Sequence, residues 1–171
     1  MTDSPAPPEP ALALASAATL TRRAFLRAGA ALLVTAAAGY GYYRWTLIPP
    51  DHDAARMTPD RALEAMAQGR MTLIDIRRPD EWQRTGLAPG AEPLDMRRDD
   101  FLTQVDRLTG GDRTVPLGLI CARGVRSAQM TLHLTRAGYT NLVDIPEGME
   151  GSAAGPGWVN RDLPVVAWSG R

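Results

Sequence analysis

The sequence predicts an α/β fold, a mainly parallel sheet covered by helices on both faces. Three observations carry this. Short apolar runs at 71–76, 114–121 and 141–145 read as buried strands, because each is nearly continuous rather than alternating. Segments with helical spacing separate these runs, the pattern of a layered α/β domain. Of the 171 residues, those from about 55 to 170 suit one domain of usual size.

The elements follow in order. Thr58-Pro59-Asp60 opens a helix, with Thr58 as N-cap, Pro59 at the first helical position and Asp60 favourable to the dipole. Leu63 and Met66 give it an apolar stripe, and Gly69 ends it. The run 71–76 is a strand. A short helix starts at Pro79 and stops at Gly86. The stretch 87–96 is loop with one short strand. Phe101, Leu102, Val105 and Leu108 stand at helical spacing before Gly110-Gly111. The strand 114–121 leads into a helix over 124–138, closed by Gly138. The strand 141–145 follows, and the tail from 148 is loop-rich.

Basic and acidic residues balance at 19 each, so no global field points to nucleic acid. All 19 basic residues are arginine. The only cysteine, Cys121, has no intrachain partner for a disulfide. His52 and His133 are too few and too far apart in sequence to suggest a metal site. His133 reads as packing or surface.

Residues 1–20 are rich in Pro, Ala and Ser and are expected to be disordered. Residues 21–48 read as an export signal or membrane anchor, since Arg22, Arg23 and Arg27 precede the uncharged run Ala28–Tyr43. The stretch Thr21–Arg27 resembles the twin-arginine export motif. Ala36-Ala37-Ala38 fits a cleavage site. The aromatic cluster Tyr40, Tyr42, Tyr43 and Trp45 instead fits an uncleaved helix from Phe25 to Ile48, with its N-terminus inside. Both readings place the domain outside the cytoplasmic membrane, facing the periplasm. Residues 49–56 read as a linker, and 57–171 as the domain.

Cys121 stands at the carboxyl end of a buried strand, just before a helix. Ligands bind at this edge of open α/β sheets. Gly124 permits a sharp turn, and successive N–H groups with the helix N-terminus would form an anion cup. Such a field favours thiolate over thiol. Arg123 and Arg126 add planar donor forks suited to oxyanions, and Ser127 adds a hydroxyl. A lone cysteine at a strand end is most often a buried, inert residue. Here the strand–Cys–Gly–Arg–helix context favours the nucleophile.

The stretch Cys121-Ala122-Arg123-Gly124-Val125-Arg126-Ser127 resembles the active-site loop of the rhodanese family of sulfurtransferases, whose Cys-x-x-Gly-x-Arg pattern falls on Cys121, Gly124 and Arg126. Leu73-Ile74-Asp75-Ile76-Arg77 with Glu81-Trp82, then Pro89-Gly90-Ala91, resembles the family's first block. Ala137-Gly138-Tyr139, Gly148-Met149 and Leu163-Pro164-Val165 resemble its later ones. The resemblance implies a five-stranded sheet and covalent catalysis by Cys121, which takes sulfur from a small-molecule donor and passes it to a thiol acceptor. It implies substrate contacts from Arg123, Gly124, Val125, Arg126 and Ser127, and no cofactor. Asp75 and Arg77 are expected to be structural, with Asp75 fixing loops at the sheet edge. An Arg77–Glu81 ion pair is one reading of that block; a solvated surface pair is the other.

The sequence departs from the pattern in three places. Glu147-Gly148 stands where the family usually has Gly-Gly before the last helix. Gly86-Leu87-Ala88 stands where the family often has Gly-His-Ile. The tryptophan expected soon after Met149 is displaced to Trp158 by the insert Ser152–Gly157. A protein partner at 151–158 is one use for that insert, and the N-terminal helix would make the membrane a second partner. Two other functions compete with the enzyme. One is a membrane-tethered persulfide carrier without turnover, or a docking module for a sulfur-metabolism partner. The other is a phosphatase or arsenate reductase, whose loop would place arginine at position 127; that residue is serine.

Overall fold

The computed structural model describes residues 22–170. The expected disordered tail, residues 1–20, lies outside them. The chain divides after Arg44 into two units, each described by itself.

The first unit is formed by most of helix α1 (Arg22–Thr46). Alanine, the strongest helix former, dominates its centre. Its 25 residues are long enough to span a bilayer. Even so, among the described residues no helix is both long and apolar enough to cross a membrane. The expected uncleaved span from Phe25 to Ile48 is therefore not supported. Alanine, glycine and tyrosine contribute too little apolar transfer free energy over this length.

The second unit contains a five-stranded sheet. Its strands are β1 (Ala55–Arg56), β2 (Thr72–Asp75), β3 (Glu92–Pro93), β4 (Leu117–Ile120) and β5 (Leu142–Asp144), in the spatial order β1-β5-β4-β2-β3. Every pairing is parallel. The helices are α2 (Pro59–Ala67), α3 (Pro79–Thr85), α4 (Phe101–Leu108), α5 (Val125–Arg136) and α6 (Gly157–Asn160). Strand β1 lies in the segment read as linker, and two residues give too short a pattern to be seen in sequence. Helix α6 lies in the tail read as loop. Thr58 precedes α2 as expected, but its side chain makes no capping hydrogen bond.

Alternation along the strands divides the core between the two faces of the sheet. Ile74, Ile76, Leu117, Leu119, Cys121 and Leu142 pack with Phe101 and Val105 of α4 and Met130 and Leu134 of α5. Leu73, Ile120, Val143 and Ile145 pack with Ala62 and Ala65 of α2 and with Trp158 of α6. Trp158 is fully buried, so the displaced tryptophan fills the core from beyond the insert. Its indole N–H donates to Pro164 O at 2.9 Å. The insert itself folds back on the body: Gly157 N donates to Glu147 Oε2 at 3.0 Å, and Arg161 Nη2 pairs with Glu147 Oε1 at 2.7 Å.

The topology positions the site. From β2 the chain moves outward to β3; from β4 it moves the opposite way to β5. Strands β2 and β4 thus flank a switch point, and the crevice beyond their carboxyl ends is a natural ligand site. The registers Asp75↔Ile120 and Leu119↔Asp144 bring Asp75, Cys121 and Asp144 to this one edge.

Candidate functional site

Strand β4 is buried at every residue, and Cys121 directly follows it. The cysteine is 1% exposed. The chain then turns through Ala122-Arg123-Gly124 into α5. Gly124 has φ +83°, and a Cβ there would lie 2.1 Å from Pro146 O. Only glycine fits both constraints. Gly148 answers it from the opposite wall, with φ +67° and the place of a Cβ 2.4 Å from Ala122 O. Met149 N donates to Cys121 O at 2.8 Å and Glu150 N to Ala122 O at 2.9 Å. The loop is therefore fixed by backbone contact with residues 146–150. Gly124→Ala is expected to lower the unfolding free energy by more than about 1–3 kcal/mol, since strained backbone and overlap add; thermal melting measures it.

The loop presents a hydrogen-bond donor to sulfur. Gly124 N donates to Cys121 Sγ at 3.1 Å. Ser127 Oγ lies 3.7 Å from Sγ and donates to Gly124 O at 3.0 Å. Val125 and Arg126 begin α5, where first-turn amides lack intrahelical acceptors. A cleft of about 400 Å³ opens over Cys121, lined by Glu81, Ala122, Arg123, Val125, Arg126 and Glu150 among others.

The two arginines differ. Arg123 is mostly exposed, 3.6 Å from Glu150 Oε2. Arg126 is held by Glu81 through two parallel bonds, Nη1 to Oε2 at 2.8 Å and Nη2 to Oε1 at 2.6 Å. This bidentate fork is a strong, directional contact. It fixes α5 to α3 and leaves Arg126 at the rim with its charge matched.

Asp75 and Arg77 are buried behind the loop. Arg77 Nε donates to Asp75 Oδ1 and Oδ2 at 2.9 and 3.0 Å, and Nη2 to Oδ2 at 2.7 Å. The same guanidinium reaches Thr85 Oγ1 at 2.6 Å and Gly86 O at 2.7 Å. The pair thus ties the end of β2 to the end of α3. The Arg77–Glu81 ion pair does not form. Of Glu81, Arg77 reaches only the backbone O, at 3.5 Å, because Asp75 takes its charge and the Glu81 carboxylate turns to Arg126. Glu81 and Glu150 escaped the sequence reading as site residues: their partners on the loop lie far away along the chain. Leu87 and Ala88, which replace the family's histidine and isoleucine, are both buried. Leu87 pairs with Val166 in an antiparallel bridge.

Burial opposes ionisation of Glu81, but Arg126 and the Arg78 N–H outweigh it and hold the carboxyl below its ordinary value. A depressed carboxylate contributes stability that is present above the unfolded value, about 4.5, and is lost as pH falls through the folded one. Melting temperature is expected to fall more steeply below that pH in the wild type than in Glu81→Gln. Parallel acid profiles of the two proteins would remove Glu81 from the acid response.

Comparison with known proteins agrees with this geometry. A family profile described as "Rhodanese-like domain" matches residues 58–154. An uncharacterized protein of Rickettsia conorii is 26% identical over 102 residues, covering 54% of this chain and 80% of that protein. The crystal structure of Rv0390 from M. tuberculosis superposes with a TM-score of 0.55 at 26% identity, covering 68% of this chain and 100% of that one. The polysulfide-sulfur transferase homodimer from Wolinella succinogenes shares the fold, with a TM-score of 0.53 at 23% identity over 69% of this chain and 82% of that one. With a buried cysteine held in a glycine-turned loop at the sheet's switch point, and a family match over more than half its length, the chain belongs to the rhodanese-like domain family.

Proposed function

We propose that the protein is a sulfurtransferase that moves sulfane sulfur through a persulfide on Cys121. The observation that supports this most directly is the Gly124 N–H, 3.1 Å from Sγ, beneath an open cleft. In the first step the Cys121 thiolate attacks the outer sulfur of a donor such as thiosulfate. A new S–S bond forms, the donor's S–S bond breaks, and sulfite leaves with the bonding electron pair. In the second step an acceptor thiolate attacks the outer sulfur of the persulfide and restores the Cys121 thiolate. This is nucleophilic catalysis divided into two easier steps. The Gly124 N–H stabilises negative charge on the sulfur, a fixed dipole that needs no reorganisation. Arg123 meets the donor oxyanion at the exposed rim and Val125 lines the wall, whereas Ser127 is fully buried and stands behind the sulfur rather than against the substrate. Arg126 adds a neighbouring charge while its fork to Glu81 keeps the loop in place.

The weak hydropathy of α1 fits an export signal better than a spanning anchor, and the domain would then act in the periplasm. Intact mass after incubation with thiosulfate tests both points. One added sulfur atom on Cys121 is expected, and its absence would overturn the chemistry. In material recovered from cells, a start near residue 39 supports cleavage, and a start at residue 1 supports retention. Persulfide formation with no turnover to cyanide or small thiols would favour the second reading, a carrier that delivers sulfur to a protein docked at 151–158.

A further inference from the structure

Glu150 lines the cleft over Cys121, and the steps above give its carboxylate no role. Its backbone is fixed at both ends. Glu150 N donates to Ala122 O of the sulfur loop at 2.9 Å, and Glu150 O accepts from Asn160 Nδ2 at 3.1 Å. The carboxylate is shared between two arginines. Oε1 accepts from Arg84 Nη2 of α3 at 3.0 Å, and Oε2 lies 3.6 Å from Arg123 Nε. The first contact is a hydrogen-bonded ion pair, while the second is too long for a hydrogen bond. Glu150 is thus a held charge, with its side chain 24% exposed, and Arg123 is a loose one at 74%.

These pairings decide what the cleft can attract. Its charged lining residues are Arg123, Arg126, Glu81 and Glu150, two of each sign. Arg126 is committed to Glu81 through both arms of its fork. Arg123 alone of the two can turn to a donor, and it does so beside the carboxylate that it leaves. Thiosulfate carries two negative charges. Arg123 can meet one of them. The other faces Glu150 at short range, where like charges oppose binding. A donor with a single negative charge satisfies Arg123 and brings no second charge to the carboxylate.

We propose, on the sulfur-transfer reading, that Glu150 is a specificity-determining residue, which turns the cleft toward sulfane-sulfur donors of single negative charge and away from dianionic thiosulfate. Organic thiosulfonates are the simplest donors of this class. The Cys121 thiolate attacks their outer sulfur and a new S–S bond forms. The donor's S–S bond breaks, and a sulfinate leaves with the bonding electron pair. Thiosulfate still loads the cysteine at high concentration, because the reacting sulfur is the same. Only its binding is penalised.

The test follows persulfide formation on Cys121 by intact mass, in the full chain, with thiosulfate and with the methanethiosulfonate monoanion as donors. In Glu150→Gln the rate with thiosulfate relative to that with methanethiosulfonate, both at low concentration, is expected to rise about three- to tenfold, the effect of one unit charge at about 4–6 Å near a protein surface. The rise should come from a lower half-saturating thiosulfate concentration rather than from a higher maximal rate. Arg84→Gln breaks the same 3.0 Å contact but removes the opposite charge, so there the ratio is expected to fall. If Glu150 only braced α3 against the loop, both variants would shift the ratio in the same direction. That result, or an unmoved ratio in Glu150→Gln, overturns the proposal and leaves sulfur transfer standing. No persulfide from either donor in the wild type would overturn sulfur transfer itself, and the role of Glu150 with it.

Discussion

Cys121→Ser is expected to abolish sulfur transfer while the protein stays folded. Serine is close in size to cysteine and keeps a polar atom where Gly124 N–H can still donate, at the site of the present 3.1 Å contact. The buried surroundings change little: the side chain packs among Ile74, Leu119 and other apolar neighbours. Loss of sulfur polarisability costs about 1 kcal/mol of packing, within the range of a volume-conserving core change. The chemistry has no such tolerance. A serine hydroxyl is not ionised at neutral pH and cannot form the S–S bond on which the proposed cycle rests. As the only cysteine, Cys121 leaves no second thiol to take over. Thiosulfate-dependent transfer to cyanide should fall to the uncatalysed rate, with melting temperature close to that of the wild type. Wild-type turnover in the variant would end the assignment.

Arg77→Ala is expected to cost about 3–5 kcal/mol of stability, as when one partner of a buried ion pair is removed. Arg77 and Asp75 are both fully buried. In the variant, Asp75 would lose its counterion, and Thr85 Oγ1 and Gly86 O would lose a donor. An unpaired buried charge is far more costly than an absent pair, so the double replacement Arg77→Met with Asp75→Leu should recover part of the loss. Urea unfolding of the single and double variants measures this. The consequence reaches the site because Arg77 secures the end of α3, whose Glu81 holds Arg126. A loss below about 1 kcal/mol in the single variant would show that the ion pair does not hold this edge together.

The sequence by itself determined the layered architecture. Its strands are continuous apolar runs and its helices carry apolar stripes, and these are local patterns that burial enforces. It also determined the loop. Cys121, Gly124 and Arg126 lie close together in the chain, and the positive φ at Gly124 is a local demand that only glycine meets easily. Short pieces were illegible. Ala55–Arg56 and Gly157–Asn160 are too brief to show a period and exist because the sheet edge and the core receive them.

Only the tertiary structure decided how charges pair. Glu81 is four residues from Arg77 yet binds Arg126, 45 positions away. Arg77 turns to Asp75 instead. His52 meets Asp144 across 92 positions. Sequence spacing governs contacts within an element, where geometry repeats. Between elements the partner is set by packing, and a buried carboxylate takes the guanidinium that the fold brings to it. The Cys121 loop is thus written in consecutive residues, whereas the charges around it are assigned by the sheet that gathers distant strands to one edge.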